Sequence, residues 1–164
     1  MSKRLLIFLG IGLVVAGIAA GLIFYLHVGS HLDLKVEIIK IRTGKIDDNN
    51  CAALIDFRVE NVSDVPFRVR DITVNAEQPN GDKIEGESIS RKDIQQLLQY
   101  NRFFGQQYNP ALAAGDTIKP REKVDRTLAI RFDVPLELLD KAKQLRLHIQ
   151  DATGADFETV KPLK

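Results

Sequence analysis

Residues 51–60 read Cys-Ala-Ala-Leu-Ile-Asp-Phe-Arg-Val-Glu. Cys51, Ala53, Ile55, Phe57 and Val59 alternate with Ala52, Leu54, Asp56, Arg58 and Glu60, the period-two pattern of a strand with one face in a core. This is the clearest strand in the chain, and its neighbours repeat the pattern. Upstream, Leu32, Leu34, Val36 and Ile38 alternate with polar residues until the apolar phase switches at Ile39 and Ile41, which predicts a bulge or a change of partner sheet. Residues 43–50 (TGKIDDNN) are rich in turn formers. Downstream, residues 61–66 connect to a strand carrying Phe67, Val69, Ile72, Val74 and Ala76, again with a phase change midway. Pro79-Asn80-Gly81-Asp82 is a turn signal that returns the chain antiparallel into residues 83–90.

The pattern then changes. Ser90 with Asp93 three residues on has the form of a capping box, and Ile94, Leu97 and Leu98 have helical spacing, so a helix is predicted over 91–100. The stretch NRFFGQQYNPALAAGD that follows is long and irregular for a compact domain. Tyr100, Phe103, Phe104 and Tyr108 are four of the eleven aromatic residues. Leu128, Ile130 and Phe132 mark another strand, Pro135 opens a second short helix, and Leu145, Leu147 and Ile149 alternate in a further strand. Thr153-Gly154 turns the chain into a last strand near 157–160. About seven short strands and two short helices predict a mainly β fold, an antiparallel β-sandwich over residues 32–164 with a helical and loop insertion at 90–115.

The chain begins with a different kind of sequence. Leu5 to Leu26 carries no charge, and 22 helical residues rise about 33 Å, enough to cross a bilayer core. The expectation is one transmembrane α-helix acting as a signal anchor over 5–27, after a cytoplasmic tail at 1–4 and before a linker at 28–31. A cleaved signal peptide is the competing reading, with Lys3 and Arg4 as its basic start and Gly17-Ile18-Ala19 as a loose cleavage site. The apolar run continues well past that site, too long for such a segment. Lys3 and Arg4 against the start of the span favour the N-terminus inside and the C-terminal domain outside the cytoplasm, in a single-pass arrangement. Gly10, Gly17 and Gly21 share one helical face that allows close approach of a second helix, and hence a homodimer.

The remaining composition excludes several functions. The formal net charge is +1, and without Lys3 and Arg4 the balance is 21 basic to 22 acidic residues. Nothing in it suggests nucleic acid. Cys51 is the only cysteine, so no internal disulfide forms, and its place on an apolar strand face suits a buried thiol. His27, His31 and Asp33 lack the further ligands a metal centre needs, and His148 faces away from the apolar side of its strand. Asp93, Asp116, Asp125 and Asp133 show no pairing, and Ser88 and Ser90 lack a nucleophile-elbow context. No catalytic, cofactor or metal residues are assigned, and the chain is not expected to be an enzyme. Asn61-Val62-Ser63 matches a glycosylation acceptor, a triplet that also arises often by chance.

Asn61, Ser63 and Pro66, then Asn80-Gly81, then Lys119-Pro120 before Leu128 to Phe132 form a pattern similar to that of bacterial membrane-anchored immunoglobulin-like or fibronectin-like modules. The stretch VENVSDVPFRV also resembles the late-embryogenesis-abundant "water stress and hypersensitive response" β-sandwich. The resemblance covers roughly 34–159 and implies an immunoglobulin-like sandwich with a binding, accessory or protective role in the cell envelope, at the bacterial inner membrane. The partners expected are the lipid bilayer through 5–27 and a protein through the loop at 99–115, where Tyr100, Arg102, Phe103, Phe104 and Tyr108 have the composition of interface anchors. The same rings are also suited to closing the open end of the sandwich as core. The alternatives are a structural subunit of an envelope complex, assembled through the apolar helix, and an enzyme with an unrecognised site.

Overall fold

The computed structural model describes residues 10, 12–22 and 32–163, which fall in two compact units, Met1–His31 and Leu32–Lys164. In the first unit residues 12–22 are helical. Among the described residues no helix is long and apolar enough to cross a membrane. The expectation of a transmembrane helix is corrected accordingly: crossing a hydrocarbon core of about 30 Å takes about twenty consecutive apolar helical residues, and no such helix is found among the described residues. The rest of the 5–27 anchor, the 1–4 tail and the 28–31 linker lie outside the described residues.

The second unit contains eight strands: β1 (Leu34–Lys45), β2 (Cys51–Asn61), β3 (Phe67–Glu77), β4 (Lys83–Ser88), β5 (Thr117–Ile118), β6 (Lys123–Phe132), β7 (Gln144–Asp151) and β8 (Asp156–Pro162). They pair antiparallel in the order β1-β2-β6-β4-β3-β7-β8, with β5 added to β3. The expected immunoglobulin-like sandwich of two separate sheets is therefore corrected to one continuous sheet curled into a nearly closed barrel. The reason lies in β4. Its residues Lys83 to Gly86 pair with β3, while Glu87 and Ser88 pair with β6. Gly86 marks the crossing point: a Cβ there would sit 2.3 Å from Ile130 Cγ2 and 2.7 Å from the Phe132 ring, so a side chain would push β4 off the core.

On the opposite side, β1 and β8 are the ends of the sheet and face each other. Lys161 Nζ donates to the carbonyls of Ile38 and Ile39 at 2.7 Å each. These carbonyls sit where the β1–β2 register shifts between Ile38 and Lys40, the position at which the apolar phase of the sequence switches. The second phase change has the same cause: β3 pairs with β5 at Phe67 and Arg68, and its register against β7 shifts between Val69 and Asp71.

Two cores result. The inner one is built on Ile55, Phe57, Phe67, Leu128, Ile130, Phe132, Leu145 and Leu147, all essentially inaccessible to solvent. A second core lies on the outer face of β2 and β6, where Ala52, Leu54 and Ala129 are covered by Ile94, Phe104 and Ala111. This explains why the first half of β2 is apolar on both faces. The covering helix Arg91–Tyr100 starts as its sequence predicts, with Ser90 accepting from the Asp93 amide at 3.3 Å and donating to Asp93 Oδ2 at 2.7 Å. The second helix is a single turn, Leu136–Leu139, after Pro135.

Candidate interaction surface

The helix Arg91–Tyr100 ends at Asn101, and this one residue redirects the chain. Its amide donates to Leu97 O at 2.9 Å, its side chain accepts from the Phe103 amide at 3.2 Å, and its Nδ2 donates to Lys45 O. A 3-10 turn, Arg102–Phe104, follows and stops at Gly105, whose φ of 71° lies in the left-handed region that favours glycine. Successive side chains around such a turn point about 120° apart. Phe103 therefore stands out at 94% exposure while Phe104 points in at 0%.

Phe104 stood among the interface candidates; its ring is instead core, lying over Gly44 so closely that a Cβ there would meet Phe104 Cζ at 2.7 Å. Tyr108 keeps 60% exposure but lies elsewhere, with the Arg42 guanidinium 5.1 Å from its ring centroid. Arg42 also pairs with the nearly buried Asp56 at 2.8 Å and donates to the carbonyls of Phe104 and Gln106. Thr127 Oγ1 donates to the other Asp56 oxygen at 2.6 Å. A buried carboxylate so fully engaged is costly to disturb, and it ties the loop after Phe104 to the outer face of the sheet.

Tyr100, Arg102 and Phe103 do come together. With Lys45, Ile46 and Leu136 they line a groove of about 860 Å³. Ile46 was not among the sequence candidates, yet it is 40% exposed at the groove's edge. The signal for it was present: it is the one large apolar residue in the otherwise polar turn TGKIDDNN. The groove lies at the Lys45 end of β1, while the chain enters the domain at the Leu34 end. Twelve extended residues place those ends about 36 Å apart. Gly10, Gly17 and Gly21 meet nothing within 4 Å where a Cβ would stand.

The acidic candidates do not converge. Asp93 caps its helix, Asp116 pairs with Arg91, Asp125 accepts two bonds from Arg58 at 2.7 and 3.0 Å, and Asp133 pairs with Arg131 at 2.9 Å. Among the described residues no group of three or more His, Cys, Asp or Glu side chains is placed to hold a metal ion. His148 lies 3.6 Å from Asp156 on the outer sheet surface. Cys51 is fully buried, and burial, aided by Asp140 and Glu137, pushes its thiol up to about 11. Asn61 is buried too: Nδ2 donates to Val65 O and Ile118 O, and Oδ1 accepts from Ser63. The Asn61-Val62-Ser63 triplet thus builds the turn out of β2, and its amide is closed to modification in the folded domain.

No protein-family model matches the chain, and no curated protein is similar to it at a significant level. Solved structures that the chain resembles at low identity include three. One is a candidate lipoprotein from Bacillus subtilis, 17% identical, with a TM-score of 0.49 over 81% of this chain and 37% of that one. Another is the structural-genomics target SoR45, 13% identical, with a TM-score of 0.35 over 84% of this chain and 86% of that one. The third is the flagellar-like filament protein Iho670, 9% identical, with a TM-score of 0.32 over 96% of this chain and 98% of that one. The chain spans about a third of the length of the Bacillus subtilis protein.

Proposed function

We propose that this chain is a binding or accessory module of the bacterial cell envelope. On this reading it works at the inner membrane, with its β domain outside the cytoplasm, and it meets a protein partner through Tyr100, Arg102 and Phe103. The observation that carries the reading is the pair of bare rings, Phe103 at 94% and Tyr100 at 89% exposure, beside Ile46 and Leu136 in one groove. Aromatic rings with an arginine in a concave apolar setting are the composition of interface anchors. Their support is stiff, because Phe104 and Asn101 fix the backbone on either side of Phe103. The sequence pattern of Asn61, Ser63, Pro66 and Asn80-Gly81, though not the sandwich fold, also resembles that of modules with binding or protective roles. The alternative, a structural subunit of an envelope complex, would rest on the open Gly10, Gly17 and Gly21 face.

The test is cross-linked co-purification from native membranes, comparing the wild type with Tyr100→Ser/Phe103→Ser. Both rings are exposed, so the variant should keep the wild-type unfolding midpoint. Recovery of one protein by the wild type and its loss in the folded variant supports the reading. The same set of proteins with both forms would sink it.

A further inference from the structure

Along β6 the inner-core phase carries Leu128, Ile130 and Phe132, with the half-buried Val124 packed against that core. Arg126 has the same phase and stands opposite Phe57 in the ladder. A guanidinium in an apolar phase needs a reason, and the reason lies in how the barrel closes. β4 joins β6 only at Ile130 and Arg131. Nearer the start of β6 the gap to β3 is plugged by residues 109–118. On one side Thr127 N donates to Pro110 O at 3.0 Å and Leu112 N to Thr127 O at 3.1 Å. On the other, Val69 N donates to Asp116 O at 2.9 Å and Gly115 N to Val69 O at 2.8 Å.

Where this plug meets β6 there is a cavity of about 410 Å³, lined among others by Arg91, Gln95, Leu112, Asp116, Thr117 and Arg126. Its size falls in the range of small-ligand sites, roughly 300–1,000 Å³. The Asp116 carboxylate is already engaged by Arg91 and by the Ala113 amide at 2.9 Å. Arg126 makes one hydrogen bond among the described residues, to the neighbouring Asp125 carbonyl at 3.1 Å. Neither Arg126 nor the exposed Arg70 takes part in an ion pair among the described residues. Two arginines and one aspartate leave the cavity with a single uncompensated positive charge, surrounded by amide and hydroxyl groups and one apolar wall.

We propose that this cavity binds a small organic anion, its carboxylate or phosphate held by Arg126 with Arg91 beside it and its apolar part against Leu112. The site is separate from the groove at Tyr100 and Phe103 and stands or falls independently of it. Arginine matches both oxyanions through its planar fork of N–H donors.

The experiment is isothermal calorimetry on the full chain in detergent, titrating propionate and inorganic phosphate against sodium chloride at matched ionic strength. Saturable one-site binding of either anion is expected, and which of the two binds names the headgroup. Arg126→Gln should weaken binding by about tenfold or more, the loss of one charged hydrogen-bonding group. Arg126→Lys should restore part of it, and Arg70→Gln, which removes the same charge elsewhere, should leave it unchanged. Gln95→Ala, on an exposed helix position, should weaken binding without touching the barrel, and it decides the matter if the Arg126 variants fail to fold. No saturable binding of either anion by the wild type would overturn the proposal. So would unchanged affinity in both the Arg126 and Gln95 variants, or equal weakening by Arg126→Gln and Arg70→Gln.

Discussion

Phe103 and Phe104 are chemically identical neighbours, yet one ring is bare and the other is sealed. What separates them is the 3-10 turn, which rotates each side chain about a third of a circle from the last, and Gly44, whose missing side chain leaves room for one ring. Truncating them should therefore have opposite consequences. Phe104→Ala leaves a void over Leu54 and Gly44 and should cost about 3–5 kcal/mol. Phe103→Ala should change stability by no more than about 0.5 kcal/mol. Urea unfolding of both variants checks this, and similar midpoints would show that the turn does not hold the rings as described. Asn61, Asp56 and Arg126 make the same point for polar residues. Each lies on a strand, but its setting depends on other elements: Asn61 reaches the Ile118 carbonyl besides its neighbours, Asp56 is held by Arg42 and Thr127, and Arg126 lines a cavity with residues of the plug at 109–118.

Among the elements, β8 and β1 form the weakest join. They share no ladder pairing, and Lys161 substitutes for one by placing its ammonium on the Ile38 and Ile39 carbonyls. A charged donor on an edge strand also discourages pairing with another chain. Lys161→Met keeps the apolar stem and removes the donors. Hydrogen exchange should then quicken in β8 and at residues 38–41, while β2 and β6 keep their protection. A uniform change, or none, would show that the seam is held by packing alone. The predicted helix 91–100, the hairpin turn at Pro79 to Asp82 and the phase switches in β1 and β3 were legible because each is decided by residues within a few positions. The 3-10 turn and the two-residue β5 were not, since each depends on a distant partner: the Lys45 carbonyl for Asn101, and Phe67 in the ladder for Ile118.

For the molecule as a whole, charge placement fixes how stability responds to pH. Burial works against ionisation of Asp151, but donation from Thr153 Oγ1, Thr153 N and Arg68 N outweighs it, so its carboxyl lies below the ordinary 3.8. Asp116 is likewise held below 3.8, burial being outweighed by Arg91, and Asp125 is lowered by Arg58. Groups lowered in the folded state stabilise it above their ordinary values and lose that contribution as pH falls through the folded ones. Cys51 has the opposite sign. Its folded value near 11 exceeds the ordinary 9.0, so the unfolded thiol ionises first and stability declines as pH rises between the two. Melting curves against pH should show both limbs. Asp151→Asn should be less stable than the wild type at neutral pH, with the gap narrowing below pH 3.8. Cys51→Ala should flatten the alkaline limb. A constant gap across the acid range would mean that another carboxylate carries it.

Residues 51–60 and their neighbours, read alone, determined that the domain is mainly antiparallel β, where most strands lie, and where its longer helix begins and ends. Alternation and capping are local, so they survive without knowledge of the partner. Which strands pair across the molecule was decided only in three dimensions, and with it the choice between two sheets and one curled sheet. That choice rests on Gly86 passing beside Ile130 and Phe132, and on Lys161 reaching the carbonyls at the β1 bulge. Both are contacts between residues at least 44 positions apart, whose energy exists only once the chain has closed on itself. The same closure sets Phe103 outward and brings Arg126 to a cavity, so the surfaces offered to other molecules are consequences of the tertiary fold.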